Sequence, residues 1–330
     1  MIKKINIGIL GCASIAEKYL ISALQELEEF NIVGIASRSE LKANQFSKKF
    51  NLKPFYSYES LLNIKDLDAV YIPLPNSLHY EWIKKALNKN LHILVEKSMA
   101  CNYNEVVELN DIALKNNLVL LENFQFRFHS QLGFIKNLVD SGKIGELRNI
   151  RSSFGFPPFS DNNNIRYKEK LGGGALLDAG AYPLKITQIF LGSDIYVDAS
   201  SLEYPKDKEV DIWGSAYIKQ NHGNVTSQIA FGFDNYYQNN IELWGSKGKI
   251  YTNRIFTAAP DFEPTIEIET VDGKEIVTLK AENHFKNILK FFFQQVDKKI
   301  IDKNEYIQNV KQAKLIYEVK QLATIKKRHK

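Results

Sequence analysis

The chain has 330 residues, enough for two domains with substantial cores. Its 44% hydrophobic and 25% charged residues are those of an ordinary folded protein; no apolar run approaches the roughly 18 residues of a membrane span, and Cys12 and Cys101 are too few for a disulfide scaffold. Much of the net charge of +5 sits in the tail Lys326-Lys327-Arg328-His329-Lys330, read as solvated; with no zinc-finger spacing and the other basic residues interspersed with acids, nucleic-acid and membrane partners are not expected.

In chain order, residues 5–10 form an apolar strand, followed by a small-residue turn and an amphipathic helix over 15–28. Strands at 32–36, 68–72, 91–95 and 118–122 then alternate with helical patterns at 40–50, 79–89 and 102–116. Short strands without polar alternation, separated by helices, predict a parallel sheet covered on both faces. Beyond about residue 123 the pattern changes. Helices are expected at 130–141 and 174–190, and strands at 147–155, 196–204, 211–219, 224–233, 238–244 and 265–279. Turns such as Asn221-His222-Gly223-Asn224 separate several of these strands, which suits a large, mostly antiparallel open sheet. Helices at 281–297 and 303–325 close the chain. The expected division is 1–122 and 123–330, with the terminal helices returning to the first domain. The opening residues lack the long apolar region and cleavage site of a secretory signal, so a cytoplasmic protein is expected.

The sharpest motif is Gly11-Cys12-Ala13-Ser14-Ile15-Ala16, between the first strand and the first helix. Its spacing is that of G-x-G-x-x-G/A with Ala13 for the middle glycine. Gly11 makes the tight turn, Ala16 permits close helix packing, and the first helical amides face a pyrophosphate. The second strand ends at Ser37-Arg38, where an NAD-selective site offers a carboxylate; the first acid, Glu40, comes too late. Arg38 and Ser37 suit a 2′-phosphate, so NADP(H) is preferred, with NAD(H) left open.

Three further segments, Pro73-Leu74-Pro75-Asn76-Ser77-Leu78-His79, Val95-Glu96-Lys97-Ser98-Met99-Ala100 and Gly172-Gly173-Gly174-Ala175-Leu176-Leu177-Asp178-Ala179-Gly180-Ala181-Tyr182, join the first motif in order and spacing. Over essentially the whole chain, including Asn123-Phe124-Gln125-Phe126-Arg127-Phe128-His129, the sequence resembles the glucose–fructose oxidoreductase, inositol dehydrogenase and rhizopine-catabolism oxidoreductase family. The resemblance implies a Rossmann-like N-terminal dinucleotide-binding domain and a C-terminal α/β domain whose open sheet carries the active site and mediates homodimerisation or higher assembly. It implies Lys97 as the catalytic lysine, in an Glu-Lys-Pro motif whose proline is here Ser98. Asp178 and Tyr182 match the family's catalytic pattern. Pro73, Leu74, Asn76, His79, Glu96, Lys97, Asn123 and Arg166 are then expected along the cofactor, and Arg127 with Lys97, Asp178 and Tyr182 at the substrate.

The chemistry of these residue types agrees. A phenol at Tyr182 can protonate the oxygen formed as hydride reaches a ketone, with Lys97 as its electrostatic and hydrogen-bonding partner and Asp178 as an orienting group. No metal is required, because the cofactor carries the hydride chemistry. The expected function is an NADP(H)-dependent oxidoreductase of a sugar or nucleotide-sugar ketone or secondary alcohol, foremost a nucleotide-linked 3-keto-6-deoxyhexose reductase. The alternatives are an NAD(P)-dependent dehydrogenase of a free sugar, inositol or dihydrodiol, and a catalytically silent dinucleotide-binding sensor or scaffold.

Overall fold

The computed structural model describes residues 4–299 and 302–328, with side chains followed as far as residue 323, so the basic tail's side chains lie outside the described residues. Two compact units make up the chain. The first comprises Met1–Gln125 and Phe285–Val310, the second Phe126–His284 and Lys311–Lys330.

The first unit is built on six parallel strands: β1 (Ile5–Leu10), β2 (Phe30–Ala36), β3 (Pro54–Phe55), β4 (Ala69–Ile72), β5 (His92–Glu96) and β6 (Leu120–Asn123). They lie in the order β3-β2-β1-β4-β5-β6, which is the Rossmann order. Ile7, Ile9 and Leu10 are wholly buried, as are Ala69 to Ile72, which explains the continuous apolar runs: both sheet faces are covered. Between the strands run α1 (Ile21–Gln25), α2 (Glu40–Phe50), α3 (Tyr58–Leu62), α4 (Asn76–Leu87) and α5 (Tyr103–Lys115). Ser39 and Asn102 cap α2 and α5 by accepting the amides of Lys42 and Glu105, each cap worth about 1 kcal/mol.

Residues 285–310 complete this unit. Helix α8 (His284–Asp297) stacks Phe285 on Tyr19 at 4.7 Å and sets Phe293 edge-on to Phe30 at 6.1 Å. The start of α9 (Lys303–Arg328) bonds Tyr306 to the carbonyl of Leu118 and Asn309 to Asn110 at 3.2 Å.

The second unit carries α6 (Ser130–Asp140), α7 (Ala181–Leu191) and eight strands: β7 (Leu147–Gly155), β8 (Ile195–Glu203), β9 (Trp213–Gln220), β10 (Thr226–Gly232), β11 (Gln238–Gly245), β12 (Gly248–Asn253), β13 (Thr265–Thr270) and β14 (Gly273–Thr278). The sheet order is β14-β13-β12-β11-β7-β10-β9-β8. Every pairing is antiparallel except β7 with β10 at its centre. Helix α7 packs on β7 and β10 and is buried along almost its whole length. The second half of α9 lies along β8, where Ser200 donates to the carbonyl of Val319 at 2.8 Å.

Several elements differ from the sequence expectation. The strand expected over 265–279 is the hairpin β13–β14, reversed at the exposed Val271-Asp272-Gly273. Strand β12 and the short β3 and α3 were not anticipated. Helix α4 begins at Asn76 rather than 79, with Pro75 (φ −58°, ψ 144°) at its cap position. The helices expected from 15 and 174 open with wide π-type turns over Ala16–Leu20 and Leu176–Gly180. Among the described residues no helix is long and apolar enough to cross a membrane.

Candidate active site

In the first unit, β1 ends in the turn at Gly11, whose φ of +125° suits glycine and whose absent Cβ would lie 2.8 Å from the Leu74 side chain. Gly11 therefore lies against Pro73-Leu74 at the end of the neighbouring β4, where the strand order reverses and open α/β sheets bind nucleotides. Cys12, Ala13 and Ile15 are half-buried, Ser14 is exposed and Ala16 wholly buried. Ile15, which caps the first helical turn, places no side chain on its amides. Small residues, a tight turn and helix-start amides fit a dinucleotide pyrophosphate.

At the end of β2, Ser37 is buried and Arg38 exposed. Tyr58 is the partner that sequence reading missed. Burial raises its phenol above the ordinary value, while the charge and hydrogen bonding of the neighbouring Arg38 pull it back. No carboxylate occupies this strand end, and the first acid, Glu40, lies in the opening turn of α2. The arrangement suits a 2′-phosphate.

Lys97 follows β5 directly, and its peptide bond to Ser98 is cis. The loop is held from two sides. His79 is wholly buried, with Nδ1 2.8 Å from the Ser98 carbonyl oxygen and Nε2 2.8 Å from that of Leu74. On the other side the amide of Met99 donates to Glu122 Oε1 at 2.8 Å, and Glu122 is itself buried. Glu96 accepts from Tyr71 at 2.7 Å and from Asn123 Nδ2 at 2.5 Å. Burial raises the Glu96 carboxyl above the usual range, against those bonds and the charge of Lys97. His79 and Asn123, expected along the cofactor, thus support the loop through protein bonds; the buried Asn123 Oδ1 has no hydrogen-bond partner among the described residues, an acceptor left for a bound group. Asn76 is half-buried in the first turn of α4.

In the second unit, Asp178 lies in the wide turn Leu176–Gly180 and Tyr182 in the first turn of α7. Tyr182 is 6% exposed, its ring enclosed by Phe126, Phe154 and Phe256 at centroid distances of 5.9, 5.0 and 5.6 Å. Arg166, expected on the cofactor, donates from Nε to Asp178 Oδ2 at 2.6 Å and lies over the Phe159 ring at 5.0 Å. Its guanidinium is raised first by the charge of Asp178, with Tyr182 adding to the effect. Arg166 therefore fixes Asp178. Arg127 is half-buried, its guanidinium over Phe128 at 5.3 Å.

Asp211, which sequence reading did not single out, supports this turn: its Oδ2 accepts the amide of Leu176 at 2.6 Å. Among the described residues, no group of three or more His, Cys, Asp or Glu is placed to hold a metal ion.

A family model described as "Oxidoreductase family, NAD-binding Rossmann fold" matches residues 5–124, and one described as "GFO/IDH/MocA C-terminal domain" matches residues 134–251. The chain is 37% identical to dTDP-3,4-didehydro-2,6-dideoxy-alpha-D-glucose 3-reductase from Actinomadura kijaniata, over 88% of this chain and 87% of that protein. The enzyme of the same name from Saccharopolyspora spinosa is 36% identical over 90% and 89% of the two chains. A crystal structure of a 3-ketoreductase from Actinomadura kijaniata in complex with NADP and TDP-benzene superposes with a TM-score of 0.93 at 35% identity, covering 97% of this chain and 98% of that one.

Proposed function

This chain belongs to the GFO/IDH/MocA family of oxidoreductases, and from that premise we propose that it is an NADPH-dependent reductase of a TDP-linked 3-keto-6-deoxyhexose. The observation that carries this reading is the match, over 97% of the chain, to a 3-ketoreductase crystallised with NADP and TDP-benzene. Arg38 at the end of β2, with no carboxylate beside it, supports NADPH over NADH.

When bound, the nicotinamide supplies hydride to the ketone carbon. Tyr182 gives its phenolic proton to the ketone oxygen as that oxygen gains charge, and takes it back in the reverse direction. Lys97 supplies a positive charge that favours the developing anion and an N–H to hold it. Asp178, fixed by Arg166, orients a substrate hydroxyl or the phenol. The phenylalanines around Tyr182 keep water from its ring and so strengthen every charge interaction the phenol makes. Homo-oligomerisation through the second unit's sheet is part of the reading. The uncovered face supports it, with Trp244 exposed, a depression of about 580 Å³ beside it and Arg151 over the Trp244 ring.

Stopped-flow absorbance of the reduced nicotinamide tests the proposal, with NADPH and NADH offered against TDP-linked 3-ketodeoxyhexoses and free sugars. NADPH oxidation is expected with the nucleotide-linked ketones. Turnover should fall about 10²-fold or more in Lys97→Ala and Tyr182→Phe, and Arg38→Ala should narrow the gap between the two cofactors. Turnover confined to free sugars or polyols would transfer the reading to a free-sugar dehydrogenase. Cofactor binding without oxidation by any substrate would leave a sensor.

A further inference from the structure

The segment that delivers Asp178 and Tyr182 enters its wide turn through Gly172-Gly173-Gly174-Ala175, and Ala175, at the cap position, makes no side-chain bond to the turn's amides. Asp211 supplies what the cap lacks. Its carbonyl oxygen accepts the amide of Ala175 at 2.8 Å and its carboxylate accepts the next amide, Leu176, at 2.6 Å. Two successive helix-start amides are thus satisfied by one residue 35 positions away in sequence. The carboxylate reaches the Leu176 amide only because residue 174 is glycine: a Cβ there would lie 2.4 Å from Asp211 Oδ1, and the φ of +110° also favours glycine. From the opposite side the Arg166 carbonyl accepts the amide of Gly174 at 2.9 Å, while its guanidinium holds Asp178. Val210 and Ile212, buried at 4% and 3%, anchor Asp211 just before β9.

We propose that Asp211 is a positioning residue for the reductase reaction, whose carboxylate fixes the opening turn of α7 and thereby aligns Asp178 and Tyr182. The proposal rests on the reductase reading for its kinetic consequence but not for its structural one. A buried anion at a helix start is favoured by the aligned peptide dipoles and makes a charge-assisted bond stronger than a neutral acceptor can. Two titratable groups bear on it, and a third acts through one of them. Lys320 of α9 pulls the Asp211 carboxyl down, Tyr204 beyond β8 faces it and is itself pushed up to about 12, and Glu169 adds negative charge at Tyr204. Burial dominates and lifts Asp211 to about 6. Acidification through that range therefore replaces the charge-assisted bond to Leu176 by a neutral one, and the turn loosens.

The test compares wild-type protein with the near-isosteric Asp211→Asn, in two readouts. Protection of the amides over residues 174–182, as amide hydrogen exchange normalised to the intrinsic rate at each pH without substrate, is expected to fall in the wild type between pH 7 and pH 5; in the variant it should be lower at pH 7 and insensitive to pH. In turnover, Asp211→Asn should lower kcat on the order of 10-fold, as expected for displaced acid–base groups. The KM values should be little changed, and the acid limb of kcat expected of the wild type near pH 6 should be absent. Exchange at 174–182 unaltered by the substitution, or a kcat loss that merely follows the folded fraction with the acid limb intact, would overturn the proposal. A wild type that turns over no ketosugar yet shows the exchange response would refute the reductase reading and leave Asp211 as the clamp of this turn.

Discussion

His79 holds its two ring nitrogens against two main-chain carbonyl oxygens, yet a neutral imidazole has only one N–H to give. An imidazolium would satisfy both, but burial depresses its pKa from 6.5 to about 4, and the nearby Lys97 adds to the effect. The folded-state value lies below the unfolded one, so between those limits the unfolded chain binds a proton that the folded chain refuses. Stability is therefore full above pH 6.5 and falls as pH drops towards 4, by about 3 kcal/mol for this residue. Urea unfolding of the wild type and His79→Gln at pH 7 and pH 4.5 checks this: the loss on acidification should shrink by that amount in the variant, and an unchanged loss would exclude His79 as its source. At this scale the sequence displayed the reacting groups but not their supports. Lys97, Asp178 and Tyr182 sit in recognisable segments. Glu122, Tyr58 and Asp211 belong to no motif, and their partners are main-chain amides or a side chain far along the chain. Nothing local distinguishes them from residues on a solvated face.

The turn between β1 and the first helix is the element on which cofactor binding rests. Gly11→Ala forces a side chain into a φ of +125° and to 2.8 Å from Leu74, whose carbonyl is also bonded to His79. Stability should fall by about 1–3 kcal/mol, and NADPH affinity, measured by fluorescence titration, should weaken at least as much; unchanged affinity would show that this turn does not shape the cofactor site. Elements with strong periodicity were legible: buried runs gave β1, β2, β4, β5 and β6, and amphipathic spacing gave α2, α5 and α6. The hairpin over 265–278 was not: Asp272-Gly273 marks the reversal, but the strand-forming runs on either side of it read as one long strand. The wide turns before α1 and α7 escaped for another reason: a register change of one residue leaves the hydrophobic pattern almost intact.

At the scale of the whole molecule, the cofactor motif at residues 11–16 shares a unit with a helix some 270 positions later. Phe285 is 3% exposed and stacked on Tyr19, so Phe285→Ala should cost about 3–5 kcal/mol. Because binding stabilises the folded state by mass action, NADPH at 100 times its Kd should restore about 2.7 kcal/mol. Thermal unfolding with and without NADPH measures both terms; a variant that binds NADPH without gaining stability would uncouple α8 from the cofactor unit.

That same division of the first unit also sets an order of events during synthesis. The ribosome releases residues 1–125 early, but the helix that covers Tyr19 and Phe30 is not yet made. Adding residues 126–284 at about 5–20 residues per second takes on the order of 10–30 s. Throughout that interval the nascent nucleotide-binding unit presents an uncovered aromatic surface. The first 125 residues of this chain thus wait longest between synthesis and completion of their unit, and they are the ones a chaperone has most reason to hold.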